Sequence, residues 1–78
     1  MAHHLPPRPS ILDDFDFHKV IDGRKVWKNR EGTRYFSWDS LHGEVEMFDR
    51  RGYHLGSLDP NTGNPLKDAV RGRRLNVQ

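Results

Sequence analysis

The strongest structural signal in this 78-residue chain lies at residues 33–49, which read TRYFSWDSLHGEVEMFD. Two short runs, 33–39 and 44–49, alternate between apolar and polar side chains, which is the period of a strand with two distinct faces. Residues 40–43 read SLHG, and short polar residues with a glycine are typical of a turn. The segment therefore predicts an antiparallel β-hairpin.

The register of this hairpin follows from the face that it buries. With Asp39 opposite Glu44, one face is apolar and the other carries the polar side chains. The apolar set is Phe36, Trp38, Val45 and Met47, and the polar set includes Tyr35, Ser37, Asp39, Glu44 and Glu46. A slip of one residue would expose the apolar set and bury the carboxylates. Burial therefore predicts the register that groups Asp39, Glu44 and Glu46.

Two further strands flank the hairpin in the sequence, at residues 24–30 and 53–59, with turns at 31–32 and 50–52. Residues 59–65 read DPNTGNP, which is typical of a loop. Residues 66–78 form a basic tail that could add a short edge strand. The predicted fold is mainly β, a small antiparallel meander of about four to five strands.

Residues 1–22 are predicted to form a proline-rich, acidic arm ahead of a single domain at 23–78. Three prolines within residues 5–9 preclude a helix interior there. Ser10 could cap a short helical turn over residues 11–15. Alternatively, Ile11, Leu12 and Phe15 could form an apolar tether on the sheet, and we favour the tether.

Composition limits the class of protein. A chain of this length buries only about 60% of its unfolded surface, so we expect one small domain. It has no cysteine for disulfides or thiolate metal sites, and no apolar run typical of a transmembrane helix or signal peptide. The net charge is −2 over residues 1–22 and +4 over the remainder. The basic part suits a polyanion partner, although ordinary surface solvation explains the charge alone equally well.

Two motifs carry a family resemblance. Residues 38–46 read WDSLHGEVE, and residues 54–67 read HLGSLDPNTGNPLK. Together they resemble the cytotoxic ribonuclease domain of the ribosome-inactivating colicins and cloacin, with a looser likeness back to about Lys25. The resemblance implies a strongly twisted sheet and an endoribonuclease toxin that cuts small-subunit (16S) rRNA at the decoding A site and so blocks translation. It also implies an immunity or antitoxin protein.

The resemblance assigns catalytic roles to Asp39, His42 and Glu46. The essential C-terminal arginine of the family falls most simply on Arg73. Two other arginines are equally available if the tail alignment shifts, namely Arg71 and Arg74.

These residue types suit metal-independent RNA cleavage. The reaction needs a base for the ribose 2′-hydroxyl, an acid for the leaving 5′-oxygen and positive charge at the phosphate. Glu46 and His42 could serve as base and acid in either assignment, Asp39 would orient the imidazole, and an arginine would bind the phosphate. The expected products are a 2′,3′-cyclic phosphate and a 5′-hydroxyl, and no cofactor is expected.

Further residues are expected to assist. The supporting set is Glu44, Tyr35, His54 and Lys67, and the set expected to bind RNA phosphates is Lys25, Lys28, Arg34, Arg71 and Arg74. Tyr35 and His54 could stack on a base, whereas Glu44 could simply pair with a basic side chain. The histidines at positions 3, 4 and 18 lack the spacing of metal ligands, so we predict no metal site.

The expected partners are the ribosome with its 16S rRNA and a small acidic immunity or antitoxin protein. The expected place of action is the bacterial cytoplasm. The chain would act there as a free-standing toxin or as part of a larger toxin delivered from another cell. The alternative is a non-catalytic RNA-binding or ribosome-binding module that uses the basic face of the sheet.

Overall fold

The computed structural model describes residues 3–78, which form one open antiparallel sheet. Its strands are β1 (Asp16–Ile21), β2 (Arg24–Lys28), β3 (Arg34–Asp39), β4 (Glu44–Asp49), β5 (His54–Leu58) and β6 (Pro65–Asp68). These six strands of the described chain follow one another in sequence order. The meander confirms the mainly β prediction, with more strands than expected. No helix in residues 3–78 is long and apolar enough to cross a membrane.

The central hairpin has the predicted register. Strands β3 and β4 pair with Asp39 opposite Glu44 and Ser37 opposite Glu46. Phe36, on the other face, is buried. The alternation of side chains therefore predicted both the pairing and the apolar face of this hairpin.

Strand β1 lies in the segment that the sequence pattern assigns to the N-terminal arm. It joins β2 through Asp22 and Gly23, which both have positive φ, 51° and 77°. This is the geometry of a type I′ hairpin, for which Asp-Gly is a favoured pair. A register shift between Phe17 and Lys19 interrupts the alternation of β1. The Asp-Gly dipeptide is therefore the signal that could have predicted the strand.

A short 3-10 helix at Ile11–Asp14 covers the apolar face. The Ser10 hydroxyl accepts a hydrogen bond from the Leu12 N–H at 3.2 Å, and the Asp13 carboxylate accepts one from the Ser10 N–H at 3.0 Å. Both alternatives predicted for this segment are confirmed, because the capped helical turn forms and Ile11, Leu12 and Phe15 pack on the apolar face of the sheet. Leu12 also packs in the core with Phe36 and Val45, so the turn anchors the N-terminal segment on the sheet.

The C-terminal tail covers the face that carries Glu46. The Leu75 N–H donates to the Gly52 carbonyl oxygen at 2.8 Å. Val77 is buried, and its carbonyl oxygen accepts from Nε2 of His18 at 2.7 Å. Both faces of the sheet are therefore partly covered, and the polar face is a site bordered by the tail rather than an open surface.

His54 links β5 to this tail. Its backbone N–H donates to the Arg73 carbonyl oxygen at 2.9 Å, and its Nδ1 accepts from the Val70 N–H at 2.9 Å. Because the accepting nitrogen carries no proton, the neutral imidazole has its proton on Nε2. Burial and the positive charge of Arg73, opposed by Glu46, lower the pKa of His54 below its ordinary value of 6.5.

Substitution of Gly52 by alanine should displace the tail. A Cβ at Gly52 (φ 90°) would lie 1.8 Å from the carbonyl oxygen of Leu75. Gly72 is a matched control, because its φ is 84° but nothing lies within 4 Å of the position that a Cβ would occupy there. Chemical denaturation should show Gly52→Ala less stable than Gly72→Ala by about 2 kcal/mol or more. Equal losses in the two variants would contradict the close packing of the tail on Gly52.

The lowered pKa of His54 should make stability depend on pH. Below about pH 6.5 the unfolded chain binds a proton at this side chain, whereas the folded chain resists protonation. The free energy of unfolding should therefore decrease as the pH is lowered through that range. Urea unfolding near neutrality and about one and a half pH units lower measures the loss. The loss should shrink in His54→Gln and persist in His3→Gln, which changes an exposed histidine. The same pH dependence in all three proteins would argue against this role of His54.

Candidate active site

Glu46 lies in the middle of β4, between strands on both sides. Its cross-strand neighbours are Ser37 on β3 and Ser57 on β5. Only 7% of its side chain is exposed. A buried carboxylate requires cations or hydrogen-bond donors, because its desolvation otherwise costs several kcal/mol. The residues that meet this requirement form the centre of the candidate site.

Arg73 reaches Glu46 from the tail. Its Nη1 donates to Oε1 at 2.6 Å, and its Nη2 donates to Oε2 at 2.8 Å. Two parallel bonds of this kind are among the strongest that a guanidinium makes with a carboxylate. Arg74 instead donates from Nε to the Arg51 carbonyl oxygen and lies over the Tyr53 ring. The structure therefore brings Arg73 to the carboxylate, in agreement with the simplest alignment of the tail.

Arg24 makes a further ion pair with Glu46. Its Nη1 donates to Oε2 at 2.5 Å. Arg24 lies two residues before Val26, which pairs with Ser37, so β2 directs both side chains to the same face as Glu46. The sequence reasoning missed Arg24 as a site residue. The signal that could have found it is the register of β2 against β3.

Asp39 and His42 form a local pair at the β3–β4 turn. Asp39 Oδ2 lies 2.7 Å from Nδ1 of His42, and Oδ1 accepts from the backbone N–H groups of Leu41 and His42 at 3.1 and 3.2 Å. Burial acts to raise the pKa of Asp39, but the hydrogen bonds and charge of His42 outweigh it and hold the pKa below 3.8.

The contact between Asp39 and His42 determines which ring nitrogen of His42 is available for proton transfer. An ionised carboxylate only accepts hydrogen bonds, so Nδ1 of His42 carries a proton toward Asp39. Nε2 is then the nitrogen available for proton exchange with a bound molecule. The His42 side chain is 54% exposed, so such a molecule can reach it from solvent. Asp39 thus fixes both the turn and the tautomer of the imidazole.

Glu44 and Lys67 form a third pair beside the site. Lys67 Nζ on β6 lies 3.1 Å from Oε1 of Glu44. Each of the three clustered carboxylates thus faces its own cationic or imidazole partner rather than another carboxylate. Glu44 contributes no free negative charge that would repel an anionic ligand.

Three polar groups near Glu46 lack a partner. The Oγ atoms of Ser37 and Ser57 and the Nε2 atom of His54 are buried without a hydrogen bond to any described residue. Nε2 of His54 lies 3.6 Å from Oε1 of Glu46, which is too long for a good hydrogen bond. The surroundings of the carboxylate therefore contain unused hydrogen-bonding capacity.

The structure does not gather all the expected residues at this centre. The Tyr35 ring packs against the His18 ring, with 5.1 Å between their centres, and Lys28 pairs with Tyr35 across the strands. Lys25 borders a cleft of about 850 Å³ between the N-terminal arm and the turn that carries Asp39. Tyr35 is thus already engaged by another aromatic side chain, whereas Lys25 is accessible from the cleft.

A second basic region lies at the other end of the central hairpin. Arg34, Arg50 and Arg51 border a groove of about 520 Å³. Arg71 is exposed in the tail. These cations are spread over the surface around the site and can contact separate charges of a large anion. Among residues 3–78, no three or more His, Asp or Glu side chains are grouped to hold a metal ion.

The arrangement supports acid–base chemistry on an anion. His42 and Glu46 are residue types that serve as acids and bases, and Asp39 orients the imidazole. Arg24 and Arg73 supply positive charge at the mouth of the buried carboxylate, with side chains 41% and 39% exposed. The proton-transfer groups and the positive charge are therefore carried by the same face of the sheet, since Asp39 lies two residues along β3 from Ser37, the partner of Glu46.

Comparison with known proteins identifies the family. The family described as Cytotoxic matches residues 18–76. Over 45 residues the chain is 51% identical to colicin E3, 47% identical to colicin E6 and 40% identical to cloacin, all from Escherichia coli. The aligned residues are 56% of this chain and 8% of each relative. Since the family match covers most of the chain and includes the whole Asp39 to Arg73 site, this protein belongs to the Cytotoxic family of the colicins and cloacin.

Proposed function

We propose that this protein is a metal-independent endoribonuclease toxin that cuts 16S rRNA at the decoding A site and so blocks translation. The observation that carries the proposal is the shared placement of Glu46, Arg73 and the Asp39–His42 pair on adjoining elements of one sheet. Membership of the Cytotoxic family supports the toxin function, and the two sequence motifs support the ribosomal target.

The reaction would be a transesterification within the RNA. The base removes the proton of the ribose 2′-hydroxyl, and the 2′-oxygen bonds to phosphorus. The bond from phosphorus to the 5′-oxygen breaks, and that oxygen takes a proton from the acid. The products are a 2′,3′-cyclic phosphate and a 5′-hydroxyl. Glu46 and His42 supply base and acid, and Arg73 stabilises the charge on the phosphorane.

Exposed cations would hold the RNA around this centre. Lys25, Lys28, Arg34 and Arg71 are spread over the strands and tail, where each can contact a different phosphate. Binding through many phosphates releases counterions, so affinity should fall steeply as salt rises. Lys67 and Arg74 are partly engaged by protein groups and would assist from the edge of the site.

The basic surface around the site also indicates which kind of protein would inhibit the toxin. An immunity or antitoxin protein that blocks the basic site should be small and acidic, and electrostatic attraction would speed its association. The substrate lies in the bacterial cytoplasm, so the toxin acts there. The aligned segment is only 8% of each colicin relative, so both delivery from another cell as part of a larger toxin and action as a free-standing toxin fit the proposal.

Intact bacterial ribosomes provide the main test, in buffer that keeps the Mg²⁺ on which their assembly depends. The wild-type protein should make one cut near the 3′ end of 16S rRNA, and His42→Ala should lose about 100-fold or more of the rate, as expected for loss of a general acid or base. Leu41→Ala changes the neighbouring exposed residue and should retain activity. Primer extension maps the cut. Tight ribosome binding without any cleavage would favour the non-catalytic binding module instead.

The tail arginines give a sharper test of the site. Lysine cannot reproduce the two parallel bonds of Arg73, so Arg73→Lys should reduce kcat about 100-fold. Arg71→Lys keeps an exposed charge two residues away and should stay within about twofold of wild type. Single-turnover cleavage of ribosomes measures both variants. A larger loss in Arg71→Lys than in Arg73→Lys would overturn the proposed role of Arg73.

A further inference from the structure

Glu46 is held by two guanidinium groups in the free protein. Arg24 donates to Oε2 at 2.5 Å, while Arg73 donates to both oxygens. A carboxylate oxygen that already accepts charge-assisted bonds has fewer lone pairs with which to take a proton from a substrate. The free protein therefore keeps a proposed catalytic group occupied.

The two arginines are not held equally. Arg73 makes two bonds to Glu46, and its backbone is fixed by His54. Arg24 makes one bond to Glu46, and its side chain is 41% exposed. A guanidinium carries several N–H donors, so most donors of Arg24 are free to meet another anion. Arg24 is the easier of the two to redirect.

The centre carries excess positive charge. Two guanidinium groups meet one carboxylate, and the neighbouring Glu44 is paired with Lys67. A phosphate group is the ligand that such an excess attracts, and planar guanidinium donors match its oxygens. The free site is therefore suited to accept one more negative charge beside Glu46.

The carboxylate would keep partners if Arg24 moved. The bonds from Arg73 would remain. Nε2–H of His54 lies 3.6 Å from Oε1, and the hydroxyls of Ser37 and Ser57 on the adjoining strands have no described partner. A small shift could form one of these bonds and offset the loss of Arg24. The site therefore has two arrangements that satisfy its buried charge.

We propose that Arg24 is a further catalytic residue whose guanidinium leaves Glu46 and binds the scissile phosphate when RNA enters the site. This exchange positions a second cation on the phosphate and frees one lone pair of Glu46 Oε2 for proton transfer, while Arg73 keeps its bond to that oxygen. RNA binding thus activates the carboxylate that the free protein holds in ion pairs. The inference rests on the proposed ribonuclease function and adds the residue that couples binding to activation.

Cleavage kinetics test this role. Arg24→Ala should lower kcat on intact ribosomes about 100-fold, the usual effect of losing one preorganised donor, with a smaller change in KM. Arg30→Ala is the matched control, because it removes an exposed guanidinium from the turn that follows β2, outside the site, and should retain kcat. Millimolar methylguanidinium should restore part of the activity of Arg24→Ala and leave Arg30→Ala unchanged. Wild-type kcat in Arg24→Ala would overturn the proposal.

A binding measurement separates this inference from the proposed function. In protein with isotope-labelled arginine and glutamate, the Nε–H signals of Arg24 and Arg73 should shift with the same dependence on the concentration of inorganic phosphate. The Glu46 carboxyl carbon should shift with them, since it loses a bond. A titration that moves Arg73 alone, or neither arginine, would overturn the role of Arg24. If the wild-type protein failed to cut ribosomes, the proposed ribonuclease function would be refuted. This titration would still decide whether Arg24 binds phosphate.

Discussion

The ion pairs on Glu46 are the interaction on which the rest of the structure depends. A carboxylate buried in the middle of a six-stranded sheet is unfavourable without compensation, and the compensating cations come from opposite ends of the chain. Arg24 requires the β1–β2 hairpin, and Arg73 requires the tail to cross the sheet. The close approach of Leu75 to Gly52 and the bonds made by His54 hold that tail in place. Buried charge and tail folding therefore stabilise each other.

The sequence predicted the parts of the fold that depend on local pattern. The alternation in residues 33–49 indicated the β3–β4 register because only one register buries Phe36 with its apolar neighbours. Strand β1 was missed because a register shift after Phe17 breaks its alternation, although the Asp-Gly turn marked its end. The tail was difficult because few of its residues are apolar. It is held by backbone hydrogen bonds to Gly52 and His54 and by long-range side-chain bonds such as Arg73 to Glu46, and neither kind leaves a periodic pattern in the sequence.

The residues of the candidate site also differ in how well the sequence predicts them. Asp39 and His42 are three residues apart in one turn, so their proximity could be predicted from the sequence alone. Arg73 is 27 residues from Glu46, and only the path of the tail distinguishes it from Arg71 and Arg74. Arg24 was absent from the predicted set because its contact depends on the pairing of three strands. Residue type thus predicted the candidate chemistry, whereas sheet register determined which cations contact Glu46.

The two parts of the candidate site depend on different parts of the fold. The Asp39–His42 pair needs only the β3–β4 turn, but the charge around Glu46 needs the N-terminal hairpin and the C-terminal tail together. If the tail separated from the sheet, Glu46 would lose its two bonds to Arg73, and the proposed phosphate site would lose a cation. The imidazole pair would survive such a change. Proton-transfer groups without the guanidinium groups would lack the electrostatic stabilisation that phosphoryl chemistry needs most. The complete site therefore exists only when both ends of the chain are packed on the sheet.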